Sequence, residues 1–275
     1  WPDAEYGNPE NLRTTEIKYP KELSGYAANQ LKQTAYPDGR LDQYVYEEGH
    51  YVENGSLPGT FFPGSGSFVR KTITHGTADH PDGIAFKSTR EVIVVNRVNR
   101  EVFKEVYVFV GDGQYELMDW TVNEYDELFN LTASHFANGT SKSSSWGSAC
   151  CGKESDVDVD GTTMFYTYDA LKRKTAQTKA GVPAGEYPAQ PDVTTTYVFD
   201  AAGKVRTETV STGGLNLVTS NEYDLAGRLT KTTDPAGLVT TYAYDEGGRI
   251  KTITHPSGAT ETTENYLDGR PKSIT

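Results

Sequence analysis

The sequence predicts an all-β chain built from consecutive antiparallel β-hairpins. Three observations carry that prediction. An aromatic–Asp pair recurs toward the C-terminus, most plainly in Tyr223-Asp224-Leu225-Ala226-Gly227-Arg228 and Tyr244-Asp245-Glu246-Gly247-Gly248-Arg249. A second signature, Pro-x-Gly, alternates with it at Asp234-Pro235-Ala236-Gly237 and His255-Pro256-Ser257-Gly258. The segments between these signatures are 6 to 8 residues long and rich in Thr, Tyr, Val and Ile, which is strand length and strand chemistry. A recurring period of this kind marks stacked supersecondary units, and such architectures mostly serve as scaffolds, surfaces or shells.

Taken in chain order, residues 31–51 form a first unit, with the turn Tyr36-Pro37-Asp38-Gly39-Arg40 followed by the strand around Tyr44-Val45-Tyr46. His80-Pro81-Asp82-Gly83 repeats the Pro-x-Gly turn. Residues 90–110 carry the strongest strand signal. There Val92, Val94, Asn96 and Val98 alternate with Ile93, Val95, Arg97 and Asn99, and Phe103, Val106, Tyr107, Val108 and Phe109 follow. This predicts either a hairpin around 96–100 or two long sheet strands. Aromatic–Asp starts then fall at Tyr125-Asp126, Tyr168-Asp169, Phe199-Asp200, Tyr223-Asp224 and Tyr244-Asp245, spaced 43, 31, 24 and 21 residues apart. The two long gaps are read as insertions, a Ser/Gly/Asp-rich one over 138–161 and a Pro/Gly-rich one over 180–192. Strands are expected over 228–233, 238–244, 249–255 and 259–266, and Asp268-Gly269-Arg270 makes a shortened last turn. In the second of these strands, Leu238, Thr240, Tyr242 and Tyr244 share one face and Val239, Thr241 and Ala243 the other. Both faces are mixed, as in a sheet whose two sides are each half-covered. Residues 21–32 and 170–179 are the best helical candidates, and neither shows a convincing apolar stripe. The organisation expected is an irregular β region with degenerate repeats over 1–165 and regular hairpins over 166–275, in one continuous sheet.

The turn chemistry explains the repeat. Asp at the first position accepts hydrogen bonds from backbone two residues on, and Gly takes the left-handed conformation. A type I turn closed by a left-handed Gly makes a bulged hairpin. Gly227 and Gly248 fill that position, whereas Phe129 and Lys172 stand in it elsewhere, so those two hairpins are predicted to turn differently or irregularly. The repeat arginines Arg40, Arg228, Arg249 and Arg270 are placed to stack on the tyrosine rings or to pair with the turn Asp.

Composition agrees with a β scaffold. The 275 residues include 18 Tyr against 2 Met, with hydrophobic content of 36% and a mean hydropathy of -0.60. A net charge of -12 argues against nucleic acid or an anionic membrane as the main partner, since phosphate binding needs clustered Lys and Arg. No stretch approaches the ~20 apolar residues of a spanning helix, which argues against membrane insertion. The N-terminus reads as neither a signal peptide nor an initiator, pointing to a processed product or a piece of a longer chain.

Catalytic and metal motifs are sparse. Cys150 and Cys151 are adjacent and have no distant partner. They are read as free thiols, a vicinal disulfide, intermolecular links, or half of a metal site completed elsewhere. Nothing near them lowers a thiol pKa, so neither is a candidate nucleophile. Asp156, Asp158 and Asp160 before Gly161 match the first half of a calcium loop, but position 167, where a closing Glu belongs, is Thr. The other reading of this segment is a strand leading into an Asp-Gly turn. His50, His75, His80, His135 and His255 are scattered, with no zinc spacing. No catalytic residue and no cofactor other than this possible calcium is predicted.

The segments 223–258, 164–174 and 35–49 resemble the Rhs/YD-repeat family, named for its Tyr-Asp dipeptides. The resemblance implies a ribbon of hairpins that curves and spirals into part of a hollow shell, as in bacterial toxin carriers, the cage subunits of insecticidal toxin complexes and animal teneurins. It implies a non-catalytic structural segment of a secreted or cell-surface protein that encloses or presents a polypeptide cargo. The partners would be that cargo or further repeats of the same polypeptide. In toxin members a core segment at the end of the shell releases the toxin by self-cleavage. Asp234-Pro235-Ala236-Gly237-Leu238 is superficially like its start, but another repeat follows at once, so it is read as an ordinary turn. Two alternatives stand beside this reading: an extracellular adhesin that binds a glycan or protein through exposed Tyr faces, and a self-associating surface filament.

Overall fold

The computed structural model describes residues 14–77, 88–147, 152–185 and 188–275, and among them there is no helix. The all-β, hairpin-by-hairpin fold expected from the sequence is what forms. The segments with weak helical character become turns and strand: 170–179 is a tight corner followed by a strand. The chain divides into two compact units, Trp1–Ser144 and Ser145–Thr275.

Unit 1 contains β1 (Thr15–Lys18), β2 (Leu31–Ala35), β3 (Arg40–Asn54), β4 (Leu57–Pro63), β5 (Phe68–Thr77), β6 (Thr89–Val95), β7 (Glu101–Gly111), β8 (Gln114–Tyr125), β9 (Leu131–Phe136) and β10 (Ser141–Trp146), whose last residues belong to unit 2. Antiparallel pairing runs β1–β2–β3–β5–β6–β7–β8–β9–β10. The hairpin between β6 and β7 turns at 96–100.

Strand β4 departs from this order and gives unit 1 its core. β3 is 15 residues long. Its first ten residues pair with β5 and its last six with β4, with Gly49 in both ladders. The distal half of β3 therefore leaves the sheet and, with β4, folds across one face of it. Tyr51 of this hairpin stacks on Phe103 with ring centroids 5.8 Å apart. Together with Val94, Val102, Phe103 and Val122 it makes a buried cluster, against which Phe61, Phe68, Trp120 and Tyr125 pack. Each such fully buried side chain contributes about 1.5–3 kcal/mol. The crossing demands glycine: a Cβ on Gly66 would run into the Gly49 carbonyl, and one on Gly49 into the Phe62 carbonyl.

Unit 2 contains β11 (Lys153–Val157), β12 (Thr163–Tyr168), β13 (Lys174–Lys179), β14 (Val193–Phe199), β15 (Val205–Thr212), β16 (Leu215–Tyr223), β17 (Leu229–Thr233), β18 (Val239–Tyr244), β19 (Ile250–Thr254), β20 (Thr260–Asn265) and β21 (Pro271–Ile274), each antiparallel to the next. The last four strands expected from the turn signatures end within one residue of these bounds. The segment 138–161 is more regular than an insertion, since β10 and β11 lie in it. Among the described residues of 180–192 the β structure is a bridge between Val182 and Gln190.

No described residue of unit 2 is buried. The register explains why. One face carries rows such as Phe165, Thr178, Thr194 and Ser211, and Lys231, Thr241, Thr254 and Thr260. The opposite face carries Tyr166, Gln177, Thr195 and Val210, and Tyr242 beside Ile253. Threonine on one side and tyrosine with polar residues on the other leave no face apolar enough to need a second layer.

Candidate functional site

The recurring element is the corner between strands, and its geometry is the same almost everywhere. At Asp224 the backbone N–H donates to the Arg228 carbonyl, and the Gly227 N–H donates back to the Asp224 carbonyl, both at 2.9 Å. Eleven corners among the described residues close in this way. They include Asp234-Pro235-Ala236-Gly237-Leu238 and His255-Pro256-Ser257-Gly258-Ala259, so the two sequence signatures make one kind of turn. The corner at Asp245 is one residue longer and closes on Ile250. The His80 turn lies outside the described residues.

The Asp side chain caps the corner. Asp224 Oδ1 accepts from the Ala226 and Arg228 N–H groups at 2.9 and 2.8 Å, and Oδ2 accepts from Arg228 Nε at 2.7 Å. Asp126, Asp169, Asp200 and Asp234 repeat the two backbone contacts. Backbone N–H donation from Arg228 holds the Asp224 carboxyl below its ordinary value of 3.8. Backbone donation from Arg173 does the same at Asp169, and from Ile250 at Asp245.

The corners with Phe129 and Lys172 are not irregular. Both residues take the left-handed conformation, with φ of 61° and 63°, beside 75° at Gly227. Phe129 donates its N–H to the Asp126 carbonyl and Lys172 to that of Asp169, each at 2.9 Å. The expectation of a different turn is thus corrected. The Asp cap fixes the backbone on both sides of the strained position, and a left-handed side-chain residue costs only about 1–2 kcal/mol.

The aromatic residue of the pair ties its corner to the preceding hairpin. The Tyr244 hydroxyl donates to the Leu229 carbonyl at 2.9 Å, and that of Tyr223 to the Val205 carbonyl at 3.0 Å. Tyr125 bonds Glu101 at 2.8 Å and Tyr168 bonds Lys153 at 3.0 Å in the same way. The ladder explains these targets. The β17–β18 ladder begins at Lys231 and the β15–β16 ladder at Thr207, so the carbonyls of Leu229 and Val205 lie beyond it. Asn221 and Asn123 add Nδ2–H donors to the Val205 and Glu101 carbonyls at 3.2 and 3.0 Å. Burial pushes the Tyr244 and Tyr125 hydroxyls above their ordinary pKa.

Arginine completes the joint. Arg228 pairs with Asp224 and lies over the Tyr244 ring of the next corner, 4.8 Å from its centroid. Arg173 pairs with Asp169 and lies 4.4 Å from the centroid of Phe199. Arg40 covers its own Tyr36, and Arg270 pairs with Asp268. The carboxylates of Asp126, Asp169, Asp200, Asp224 and Asp234 are therefore engaged by backbone amides, and those of Asp169 and Asp224 by an arginine as well, so each acts as a mechanical joint.

The remaining sequence candidates are dispersed. Asp156 accepts from Tyr166 Oη at 2.8 Å and pairs with Lys153, while Asp158 and Asp160 cap the 158–162 corner. Among the described residues no group of three or more His, Cys, Asp or Glu side chains could hold a metal ion. Cys150 and Cys151 lie outside the described residues. His135 meets Glu124, and His75 meets the buried Asp42, which also accepts from Tyr36. Sequence reasoning missed the assisting asparagines, although Asn-Glu-Tyr-Asp occurs identically at 123–126 and 221–224.

Residues 223–260 match the RHS Repeat family model. This segment is similar to an RHS repeat. It spans two of the joints just described, Asp224 and Asp245, and the Asp234 turn between them. No curated protein sequence matches the chain. Among solved structures, a crystal structure of TcdB2-TccC3 is similar at 11% identity and a TM-score of 0.40, over 98% of this chain and 16% of that one. The Photorhabdus luminescens Tc holotoxin pore is similar at 13% identity and a TM-score of 0.25, over 90% of this chain and 14% of that one. A porin-like protein from Bacteroides uniformis is similar at 9% identity and a TM-score of 0.30, over 74% of this chain and 94% of that one. The chain spans about a sixth of the TcdB2-TccC3 chain it matches.

Proposed function

We propose that this chain is a non-catalytic structural segment of an Rhs-type protein, secreted or at the cell surface, whose strands form part of a wall that encloses or presents a polypeptide cargo. The similarity of 223–260 to an RHS repeat supports this reading. The observation that carries it is that the repeat residues of unit 2 are spent on joining one hairpin to the next. A sheet built from nearest-neighbour joints is extendable, and an extendable sheet acts through its surface. That no described residue of unit 2 is buried fits a wall with solvent or cargo on each side. No cofactor has a role in this reading. Its partners are protein: the cargo and further repeats.

The test is covalent labelling of tyrosine in the native polypeptide that contains this segment, compared with the segment alone. A wall around cargo gives Tyr166, Tyr197 and Tyr242 a different labelling rate in the two samples, because their face is covered in one and open in the other. Equal labelling in both samples contradicts the reading. Intact-mass measurement after prolonged incubation tests the non-catalytic part, and loss of a fragment contradicts it.

A further inference from the structure

Unit 1 contains a cavity of about 260 Å³ that the structural role leaves unexplained. Phe68, Tyr125 and Phe129 supply its aromatic walls, and the exposed side chains of Glu53, Ser67 and Arg97 line its open side, where water can be exchanged for a ligand. The other polar lining residues are already engaged. Asn96 Oδ1 accepts from Val98 and Arg100, Asn123 bonds Glu101 and Ser134, and Asp126 caps its corner. Arg97 lies over the Phe129 ring, 5.9 Å from its centroid, and forms no ion pair among the described residues.

Phe129 marks this cavity as built. The same corner position is Gly203, Gly227 and Gly237 in other hairpins, where the left-handed backbone is free of strain. Lys172 shows that a side chain there is not in itself a sign of a site, because that residue is simply exposed. The Phe129 ring is half-buried, sits under a guanidinium and forms a cavity wall. Strain retained where a side chain lines a cavity is the pattern of a binding site.

We propose that this cavity binds one uncharged sugar residue of a glycan. The free groups set the class. Arg97 only donates hydrogen bonds, the Glu53 carboxylate only accepts, and Ser67 does both. A ligand must therefore bring donors and acceptors together with a flat apolar face for the rings, which a pyranose does with its hydroxyls and C–H face. An anionic ligand would meet Glu53 and Asp126, and a cationic one Arg97. The inference is independent of the wall reading, since either can hold without the other.

The test is a printed array of uncharged mono- and oligosaccharides, with sialylated and free-amine sugars as charged arms, followed by calorimetric titration with the best uncharged saccharide. The expected result is saturable binding of an uncharged glycan. Phe129→Gly keeps the turn used by the other corners and removes the ring, so its thermal midpoint holds or rises while binding weakens by about tenfold or more. Arg97→Ala, at an exposed turn position, gives the same loss and decides the matter if Phe129→Gly does not fold. A blank array, a preference for charged sugars, or full affinity in Arg97→Ala or in folded Phe129→Gly overturns the proposal.

Discussion

The two units use one corner and two ways of being stable. Unit 1 bends the end of β3 back over its own sheet and closes a cluster around Val94, which is 1% exposed. Unit 2 has the same capped turns, more of them in regular order, and no buried residue among those described. Hairpin repetition alone therefore does not create a core. A core appears where one hairpin leaves the sheet plane, and glycines at 49 and 66 permit that departure. Where every hairpin stays in line, stability is a sum of joints: a carboxylate cap, a tyrosine hydroxyl on an orphan carbonyl, and an arginine on the next ring.

The sharpest way to break the contrast is to attack the core. Phe103→Ala should destabilise unit 1 by about 3–5 kcal/mol, by analogy with other buried aromatic truncations. Denaturant unfolding followed by Trp120 fluorescence measures it, and hydrogen exchange in unit 2 should stay unchanged. Next, Gly66→Ala should cost about 1–3 kcal/mol as the lid hairpin is pushed from the Gly49 carbonyl. A Trp120 emission shift without loss of the β6–β8 ladder protection reports it.

Single joints in unit 2 are worth less. Tyr244→Phe removes the hydroxyl donor to the Leu229 carbonyl and should cost about 1 kcal/mol. Tyr223→Phe should cost less, because Asn221 still donates to the Val205 carbonyl. Equal losses in the two variants would break the account of the asparagine. The smallest effect is Lys172→Gly. Release of about 1–2 kcal/mol of left-handed strain is partly offset by about 0.5–1 kcal/mol of added chain entropy, leaving a net gain near ~0.5 kcal/mol.

The caps also set a pH direction. The Asp224, Asp169 and Asp245 carboxyls titrate below their ordinary 3.8 when folded. Their contribution is complete above that unfolded value and is lost as pH falls through the lower folded one. Amide protection at these corners of unit 2, taken relative to the intrinsic exchange rate at each pH, should therefore fall only below about pH 4, where carboxylates begin to protonate.

Much of this was legible in the sequence, and for a physical reason. Asp at one position and Gly three later fix a turn locally, so the strands around Tyr223 and Tyr244 follow from the residues between turns. The Asn-Glu-Tyr-Asp match at 123–126 was equally visible, but its meaning depends on which carbonyls the ladder leaves unpaired. The β3–β4 hairpin was not legible. Pro58, Gly59 and Pro63 are residue types depleted in strands, and the packing of Tyr51 on Phe103 joins residues remote in sequence. Strand β10 was hidden because Ser-Lys-Ser-Ser-Ser has little strand propensity, and its pairing with β9 decides its structure.

Native-state hydrogen exchange across a denaturant series tests the central claim most directly. If unit 2 is held by nearest-neighbour joints, its strands open in graded steps at low denaturant, while β6, β7 and β8 exchange together at one higher free energy. A single opening free energy shared by β6–β8 and β15–β19 would contradict it.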